Sequence, residues 1–320
     1  MLALCALALL LAVSLGISLG SAGWYWPLSF ADASSPAFIK IDVIGELRMA
    51  RVIAGAVVGA LLALAGVLLQ IVLRNPLAEP FVLGVSGGAS ASVLLVITFG
   101  WTFLPLPLAA WLGALLSLIC LIGLSARHSA SPERILLMGV VLATGWGAVL
   151  SFLLSLGAQQ QLQVALFWLL GDLSVAQHWP IALAILIVVF IWAHSIAPIL
   201  DILIHGNTLA YHAGINVQRV QLMVLIMASL ACAAAVACAG PIGFIGLIVP
   251  HVLRLSGVRR HRYLLSASIL LGAALLVFAD TLARVWLAPQ QLPVGVCTAL
   301  IGVPLFIYLL RRRAAALDAL

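Results

Sequence analysis

Long apolar runs recur along the whole of this sequence, and they constrain its fold more than any other feature. Many of these runs have about 20 residues, the length that a helix needs to cross the hydrocarbon core of a bilayer. The mean hydropathy of the 320 residues is +1.28. Only 8% of the residues are charged, too few to cover a water-soluble surface, and no polar stretch is long enough for a separate soluble domain. Because open strands leave backbone groups unpaired in lipid, the sequence predicts an all-α, polytopic membrane protein with a single transmembrane domain over residues 1–320.

Ten membrane-spanning helices are predicted from these runs. They cover residues 2–20, 48–73, 81–100, 106–126, 134–157, 179–197, 221–238, 241–257, 264–286 and 293–310. The segment 161–172 is too short to cross, so it is predicted to be a re-entrant or interfacial helix. The first run is long and has no basic region before it, which favours a retained helix over a cleaved signal peptide.

The basic residues divide unequally between the two sides of this topology. With both termini in the cytoplasm, eleven arginines fall on one side: Arg74, Arg127, Arg134, Arg219, Arg254, Arg259, Arg260, Arg262, Arg311, Arg312 and Arg313. Four basic residues fall on the other side: Lys40, Arg48, Arg51 and Arg284. The positive-inside rule places the larger group in the cytoplasm. The net charge of +6 therefore reflects topology and attraction to anionic lipid rather than binding of nucleic acid.

The cysteines all lie in apolar runs and show no CxxC spacing. They are Cys5, Cys120, Cys232, Cys238 and Cys297. We interpret them as small buried hydrophobic residues, and the sequence predicts neither a disulfide framework nor a metal site.

The stretch RNPLAEPFVLGVSGGAS, residues 74–90, places charges, prolines and glycines between two apolar runs. Asn75-Pro76 is typical of a turn, and Pro80 suits the first turn of the next helix because it lacks an N–H. The glycines and serines that follow give that helix a small surface. Such a surface favours close packing of helices in lipid, or the passage of a bulky solute.

Two other functional classes stay open at this point. Residues 84–87 read GVSG and match the GxSG nucleophile motif of intramembrane proteases, whose serine needs a histidine base such as His178, His194 or His251. An ion-coupled secondary transporter would keep carboxylates deep in the membrane. The acidic residues instead lie near predicted span ends or in turns, at Asp172, Asp280, Glu79 and Glu133. Their placement favours an energy source in a partner protein.

Four segments together resemble the FecCD-type permease family, the membrane subunits of type II ABC importers for ferric siderophores, haem and vitamin B12. They fall in the family's order and lie at residues 46–89, 167–173, 240–255 and 279–312. NPLAEP with LG-x-x-x-GA, and GFIGLIVPH, are specific in combination. The chain departs from the family in its short N-terminus and in RMAR where the family has R-x-P-R.

The resemblance implies the type II ABC importer permease fold, with about ten helices per subunit in a bacterial inner membrane. It also implies a homodimer with its pathway along the interface, two cytoplasmic ATPase subunits and a periplasmic binding protein. ATP and Mg²⁺ then belong to the ATPase, and this chain is a transport subunit rather than an enzyme, with no cofactor of its own. Consistently, the sequence has no G-x-x-x-x-G-K-[ST] phosphate loop. The implied cargo is an iron compound, haem or a ferric siderophore, with vitamin B12 as the alternative.

Three arginines match those that, in the family, meet acidic residues on the two lobes of the binding protein: Arg48, Arg51 and Arg284. A guanidinium can hold a carboxylate through two hydrogen bonds, and Arg48 and Arg51 share a helix face because they are three residues apart. Asp280 lies one turn before Arg284, so these two side chains can also pair.

On the cytoplasmic side, HGNTLAYHAGINVQRV resembles the family's coupling segment, predicted at about 204–219. The spacing of Gly206, Ala210 and Gly214 predicts three small residues along one helical face that seats against the ATPase.

The cytoplasmic gate is implied by resemblance to the vitamin B12 branch of the family. Asn75 and Leu77 match its first part, in the turn after span two. Ser131 and Pro132 lie in the matching loop before span five, although Pro-Glu there departs from the hydroxyl-rich run of the family.

The pathway is predicted to be lined by span five, the 161–172 helix and span ten. Most of their side chains are apolar or small, and the polar exceptions are Ser151, Ser155, Gln159, Gln160 and Gln161. Such a lining fits passive passage of a large chelate that the binding protein recognises.

A second break, GPIGF at residues 240–244, parallels NPLAEP with opposite topology. Inverted repeats are common in transporters, so spans two to five and seven to ten are predicted to be related. Pro250-His251 is interpreted as a packed kink rather than a ligand pair.

Overall fold

The described part of the chain is almost entirely helical. The computed structural model describes residues 1–20, 23–24, 47–125, 132–157, 159–174, 178–288 and 290–317. The one strand pairing among these residues is short and antiparallel, β1 (Leu19–Gly20) with β2 (Gly23–Trp24). The predicted all-α class is confirmed.

The described residues contain thirteen α-helices and one 3₁₀ helix. In chain order they are α1 Leu2–Ser18, α2 Met49–Val72, the 3₁₀ helix Pro80–Leu83, α3 Val85–Phe99, α4 Leu106–Ser125, α5 Pro132–Leu156, α6 Gln159–Leu169, α7 Trp179–Ser195, α8 Ala197–Leu203, α9 Asn207–His212, α10 Val217–Ala239, α11 Ile245–Leu255, α12 His261–Val285 and α13 Val294–Leu317.

Each of the ten predicted spans contains an apolar helix of the described chain. Five helices (α2, α4, α5, α10 and α12) are long and apolar enough to cross a membrane, and α7 with α8 form an apolar pair, bent by 63°, that is long enough only when both helices are taken together. The remaining four spans hold shorter apolar helices: α1, α3, α11 and α13. The 161–172 segment forms α6 and the turn after it, and the Asp172 N–H donates to Ala239 O.

The central helix of the bundle is α2, and 89% of its apolar stretch is buried. It packs against α12, α10, α11 and α7, while α1 lies along α12. Glycines allow the closest approaches. A Cβ atom on Gly59 would overlap Gly272 O of α12, and one on Gly66 would overlap Gly246 O of α11. Small residues therefore set the helix spacing, as expected where packing drives association in lipid.

Two helices begin later than hydropathy predicts, because a break precedes each of them. Pro80 opens the 3₁₀ helix, and α3 starts only after Gly84, whose backbone is left-handed with φ 76°. Gly240 and Pro241 end α10, so α11 has only 11 residues and spans about 16 Å. GPIGF was predicted as a break between spans seven and eight that parallels NPLAEP with opposite topology. The structure brings the last residue of this break to NPLAEP, because the Phe244 N–H donates to the Glu79 carboxylate.

The arginines segregate to opposite ends of α2, whose 24 residues span about 36 Å. Arg48, Arg51 and Arg284 lie where α2 begins and α12 ends. The arginines predicted to be cytoplasmic lie toward the end where α2 stops and α10 and α12 begin, at Arg74, Arg134, Arg219, Arg254, Arg259, Arg260 and Arg262. Lys40 and Arg127 lie outside the described residues.

Candidate functional site

A cluster of charged residues lies at the end of the bundle where α2 begins and α12 ends. We call it the arginine cluster and define it as Arg48, Arg51, Asp280 and Arg284. The Arg51 Nε and Nη2 atoms donate to both oxygens of Asp280 at 2.8–3.1 Å, and Arg284 Nε lies 3.0 Å from Asp280 Oδ2. Asp280 is 1% exposed. The predicted pairing of Asp280 with Arg284 is therefore confirmed, and the same carboxylate also holds Arg51 from another helix.

Two arginines of this cluster reach the last turn of α1. Arg284 Nη2 donates to Gly16 O at 3.1 Å, and Arg48 Nη1 donates to Ile17 O and Ser18 O at 3.3 and 3.4 Å. The last carbonyls of a helix have no partner within the helix and carry partial negative charge. The guanidinium groups satisfy them, and this explains why Arg48 and Arg284 are buried.

Arg51 is the member of the cluster that reaches toward the surface. Its side chain is 11% exposed, and Nη1 donates to Oε1 of the exposed Gln291 at 2.8 Å. The structure thus brings the three sequence-predicted arginines together, but it orients two of them inward. Arg51, bonded to the exposed Gln291 at the edge of the cluster, is its accessible member.

The gate turn, defined as residues 74–80, lies at the other end of α2. The Asn75 side-chain oxygen accepts the Leu77 N–H at 2.9 Å, the Asx turn that asparagine favours before proline. Leu77 is 45% exposed. Ser131 lies outside the described residues, and Pro132 is the first residue of α5. The gate role of all four residues therefore stays a prediction.

Glu79 closes the gate turn and was not singled out from the sequence as a site residue. Its carboxylate accepts the Phe244 N–H at the start of α11. Burial raises the pKa of the Glu79 carboxyl, and the Phe244 N–H acts in the opposite direction. An acidic residue between two prolines, Pro76 and Pro80, is the sequence signal that would have identified it.

The predicted coupling segment contains α9, a helix of six residues. Gly206 and Gly214 flank this helix with φ of 129° and 75°, and Ala210 inside it is fully buried. The expected stripe of three small residues on one helical face is wrong, because the helix is too short to contain them. The exposed side chains of α9 include Leu209 and Tyr211, at 52% and 75%.

The gate turn contacts the coupling segment directly. Arg74 Nη2 donates to Asn207 Oδ1, and Gln221 Nε2 donates to the same oxygen at 3.4 Å. Hydropathy and spacing gave no signal for this contact, because the residues it joins are far apart in sequence.

Among the predicted pathway elements, α6 contacts α5, and the residue just after α6 contacts α13. Leu153 of α5 and Ala165 of α6 share a small buried cluster with Leu94 of α3. Gly295 of α13 packs so closely on Leu170 O, just after α6, that a Cβ atom there would overlap it. The three predicted elements are thus neighbours. In α5, only 11% of the apolar stretch is buried.

The glycines of the GVSGG stretch serve helix packing. A Cβ atom on Gly87 would lie 2.8 Å from Cβ of Trp146, and one on Gly88 would lie 2.7 Å from Cβ of Ser117. Ser86 is 4% exposed. This arrangement accounts for the small residues without a nucleophile.

Comparisons with known proteins agree along the whole chain. The sequence profile of the FecCD transport family matches residues 4–312. The vitamin B12 import system permease protein BtuC of Vibrio cholerae is 39% identical over 295 residues, covering 91% of this chain and 88% of that protein. The Fe(3+) dicitrate transport system permease protein FecD of Escherichia coli is 41% identical over 275 residues, covering 84% and 85%. A metal-chelate type ABC transporter solved in an inward-facing conformation superposes with a TM-score of 0.86 at 28% identity, covering 97% and 98%.

Proposed function

The chain belongs to the FecCD transport family, and on that premise we propose that it is the membrane-spanning subunit of an ATP-driven importer of metal chelates. The observation that carries the proposal is the family match over residues 4–312. It replaces the secondary-transporter and protease alternatives, since the relatives are permease subunits of transport systems.

The cargo we propose is a large metal chelate, with cobalamin and a ferric chelate as the two candidates. The relatives named for vitamin B12 and for Fe(3+) dicitrate are similarly identical to this chain. Haem and ferric siderophores, the iron compounds expected from the sequence, belong to the same class. A mostly apolar lining from α5, α6 and α13 suits each of them, because it needs no cargo-specific ligand.

The partners we propose are a second copy of the chain, two ATPase subunits and a binding protein. The weakly buried α5 exposes large apolar side chains that include Phe152 at 62% and Leu137 at 58%, which supports a second copy against this face. The exposed Leu209 and Tyr211 of α9 support contact with the ATPase, at the end of the bundle that carries most of the arginines. That end is then cytoplasmic, as are both termini, and the arginine cluster faces the periplasm.

Uptake by the reconstituted complex tests the proposal. The permease, its ATPase and its binding protein are placed in vesicles, and uptake of cyanocobalamin and of ferric citrate is measured with ATP and with a non-hydrolysable analogue. We expect one of the two chelates to be taken up, and only when both ATP and the binding protein are present. Uptake by the permease alone down or against an ion gradient would overturn the proposal, as would failure to carry any metal chelate.

A further inference from the structure

Both non-glycine residues with left-handed backbone in the described chain are joined to the gate turn. They are Arg74, with φ 46°, and Phe244, with φ 71°. Side chains with a Cβ rarely adopt this conformation, and it persists only where surrounding contacts hold it. Arg74 begins the turn, and Phe244 is bonded to Glu79 near its end.

The first residue of the gate turn contacts the coupling segment. Arg74 follows the last residues of α2, at a position where glycine commonly ends a helix. An arginine at this position adopts a less favourable backbone conformation than a glycine would. Its side chain, however, reaches Asn207, the first residue of α9. The strained residue is therefore the one that connects the turn to the exposed helix of the coupling segment.

At the second end, the contacts reach α11 and α13. Glu79 holds the N–H of Phe244, and the Phe244 side chain packs on α13, where a Cβ atom on Gly302 would lie 2.7 Å from its ring. Pro80 packs on Gly246, which leaves no room for a Cβ atom. A movement of the turn must therefore shift the beginning of α11 and the side of α13.

The middle of the turn is held to the central helix by Gln70. Its Nε2 atom donates to Ala78 O and to Gly246 O, both at 3.3 Å, and Arg254 donates to its Oε1. The turn and the start of α11 are thus bonded to one side chain and are expected to move together.

We propose that Arg74 and Glu79 are positioning residues of a mechanical relay, in which the Arg74–Asn207 contact passes a displacement of α9 to the gate turn and the Glu79–Phe244 contact passes it on to α11 and α13. This inference rests on the proposed function, in which α9 meets the ATPase and the turn closes the pathway. Neither side chain needs to touch the cargo.

Transport per ATP hydrolysed tests the first contact. The variants are Arg74→Gly, which suits the left-handed backbone, Asn207→Ala, and the double variant. The matched control is Arg219→Ala, at an exposed arginine on the same end of the bundle. With the chelate that the wild-type complex carries, we expect at least a fivefold fall in cargo moved per ATP in both single variants, with hydrolysis within twofold of wild type. The double variant should be no worse than the single ones, because both remove one contact, and Arg74→Lys should recover most of the loss.

If both single variants move as much cargo per ATP hydrolysed as the wild type, the relay is overturned. A parallel fall of hydrolysis and uptake, which marks an assembly defect, or an additive double variant would also overturn it.

Hydrogen exchange in the purified permease provides a readout that needs no cargo. The Leu77 and Ala78 amides bond to Asn75 within the turn. We expect Asn207→Ala to speed their exchange at least threefold, with no change in Arg219→Ala. Unchanged exchange would count against the relay even in a complex that transports. A wild-type complex that carries nothing would instead reject the proposed function and leave this measurement to decide on the contact.

Discussion

At the scale of single residues, the charged side chains bind backbone as much as they bind each other. Arg48 and Arg284 donate to carbonyls at the end of α1, and Glu79 accepts from the start of α11. Each satisfies a helix terminus that would otherwise lack partners inside the bundle. Charged residues are scarce in this chain, and these three are used where helix ends must be buried.

The titration of Glu79 gives a prediction at this scale. Burial raises its pKa in the folded state, so its contribution to stability is fully present below the unfolded pKa and is lost as the pH rises through the folded pKa. Glu79→Gln does not titrate and keeps an oxygen that can accept the Phe244 N–H. We therefore expect the wild type to lose stability relative to Glu79→Gln as the pH rises above about 4, the ordinary range of a glutamate carboxyl, as measured by thermal unfolding in detergent. A difference that stays constant, or that grows in favour of the wild type, would contradict this assignment.

At the scale of helices, hydropathy was enough to locate all ten spans but not to say how deep each one reaches. Eight of the eleven residues of α11 are buried, and an apolar run of this kind looks the same whether it crosses fully or starts part-way. The contact between NPLAEP and GPIGF was missed for that reason. The Asp280–Arg284 pair was predictable from its spacing of one helical turn, whereas Arg51 lies 229 residues from Asp280, and no local pattern reports such a distance.

The crossing of α2 and α11 gives a prediction for these elements. A Cβ atom on Gly66 would lie 2.6 Å from the carbonyl carbon of Gly246 and would overlap its oxygen, so backbone must shift. We expect Gly66→Ala to lower the free energy of unfolding by about 2 kcal/mol or more, within the range for overpacked interiors. The matched control is Gly123→Ala, because nothing lies within 4 Å of a Cβ atom there. Equal thermal stability of the two variants would show that α2 and α11 are not packed this closely.

At the scale of the whole molecule, the two ends of α2 carry different tasks in the proposed importer. The arginine cluster would face the binding protein, and the gate turn with α9 would face the ATPase. About 36 Å of nearly fully buried helix separates them.

Docking of the binding protein gives a prediction at this scale. Reversing Arg284 would place a carboxylate beside buried Asp280, and reversing Arg48 would place one against the Ile17 and Ser18 carbonyls, so both changes would disrupt folding and test little else. Gln291→Glu instead adds a negative charge at the exposed edge of the cluster, beside Arg51. We expect it to weaken docking about tenfold, or about 1.4 kcal/mol, with the reduction largest at low salt. Arg259→Gln, at the opposite end, should leave the affinity unchanged, and equal affinities for both variants in a binding titration would refute the assigned docking surface.

The weak burial of α5 has a consequence for how such a protein diversifies. Most side chains of α2 are fixed by their neighbours, and a change there is felt as lost stability. Those of α5 meet few neighbours in their own subunit, so replacing them leaves folding largely untouched. In the importer proposed above, selection can therefore refit this face to a corrin ring or to a citrate complex step by step, while the helices around it keep their packing.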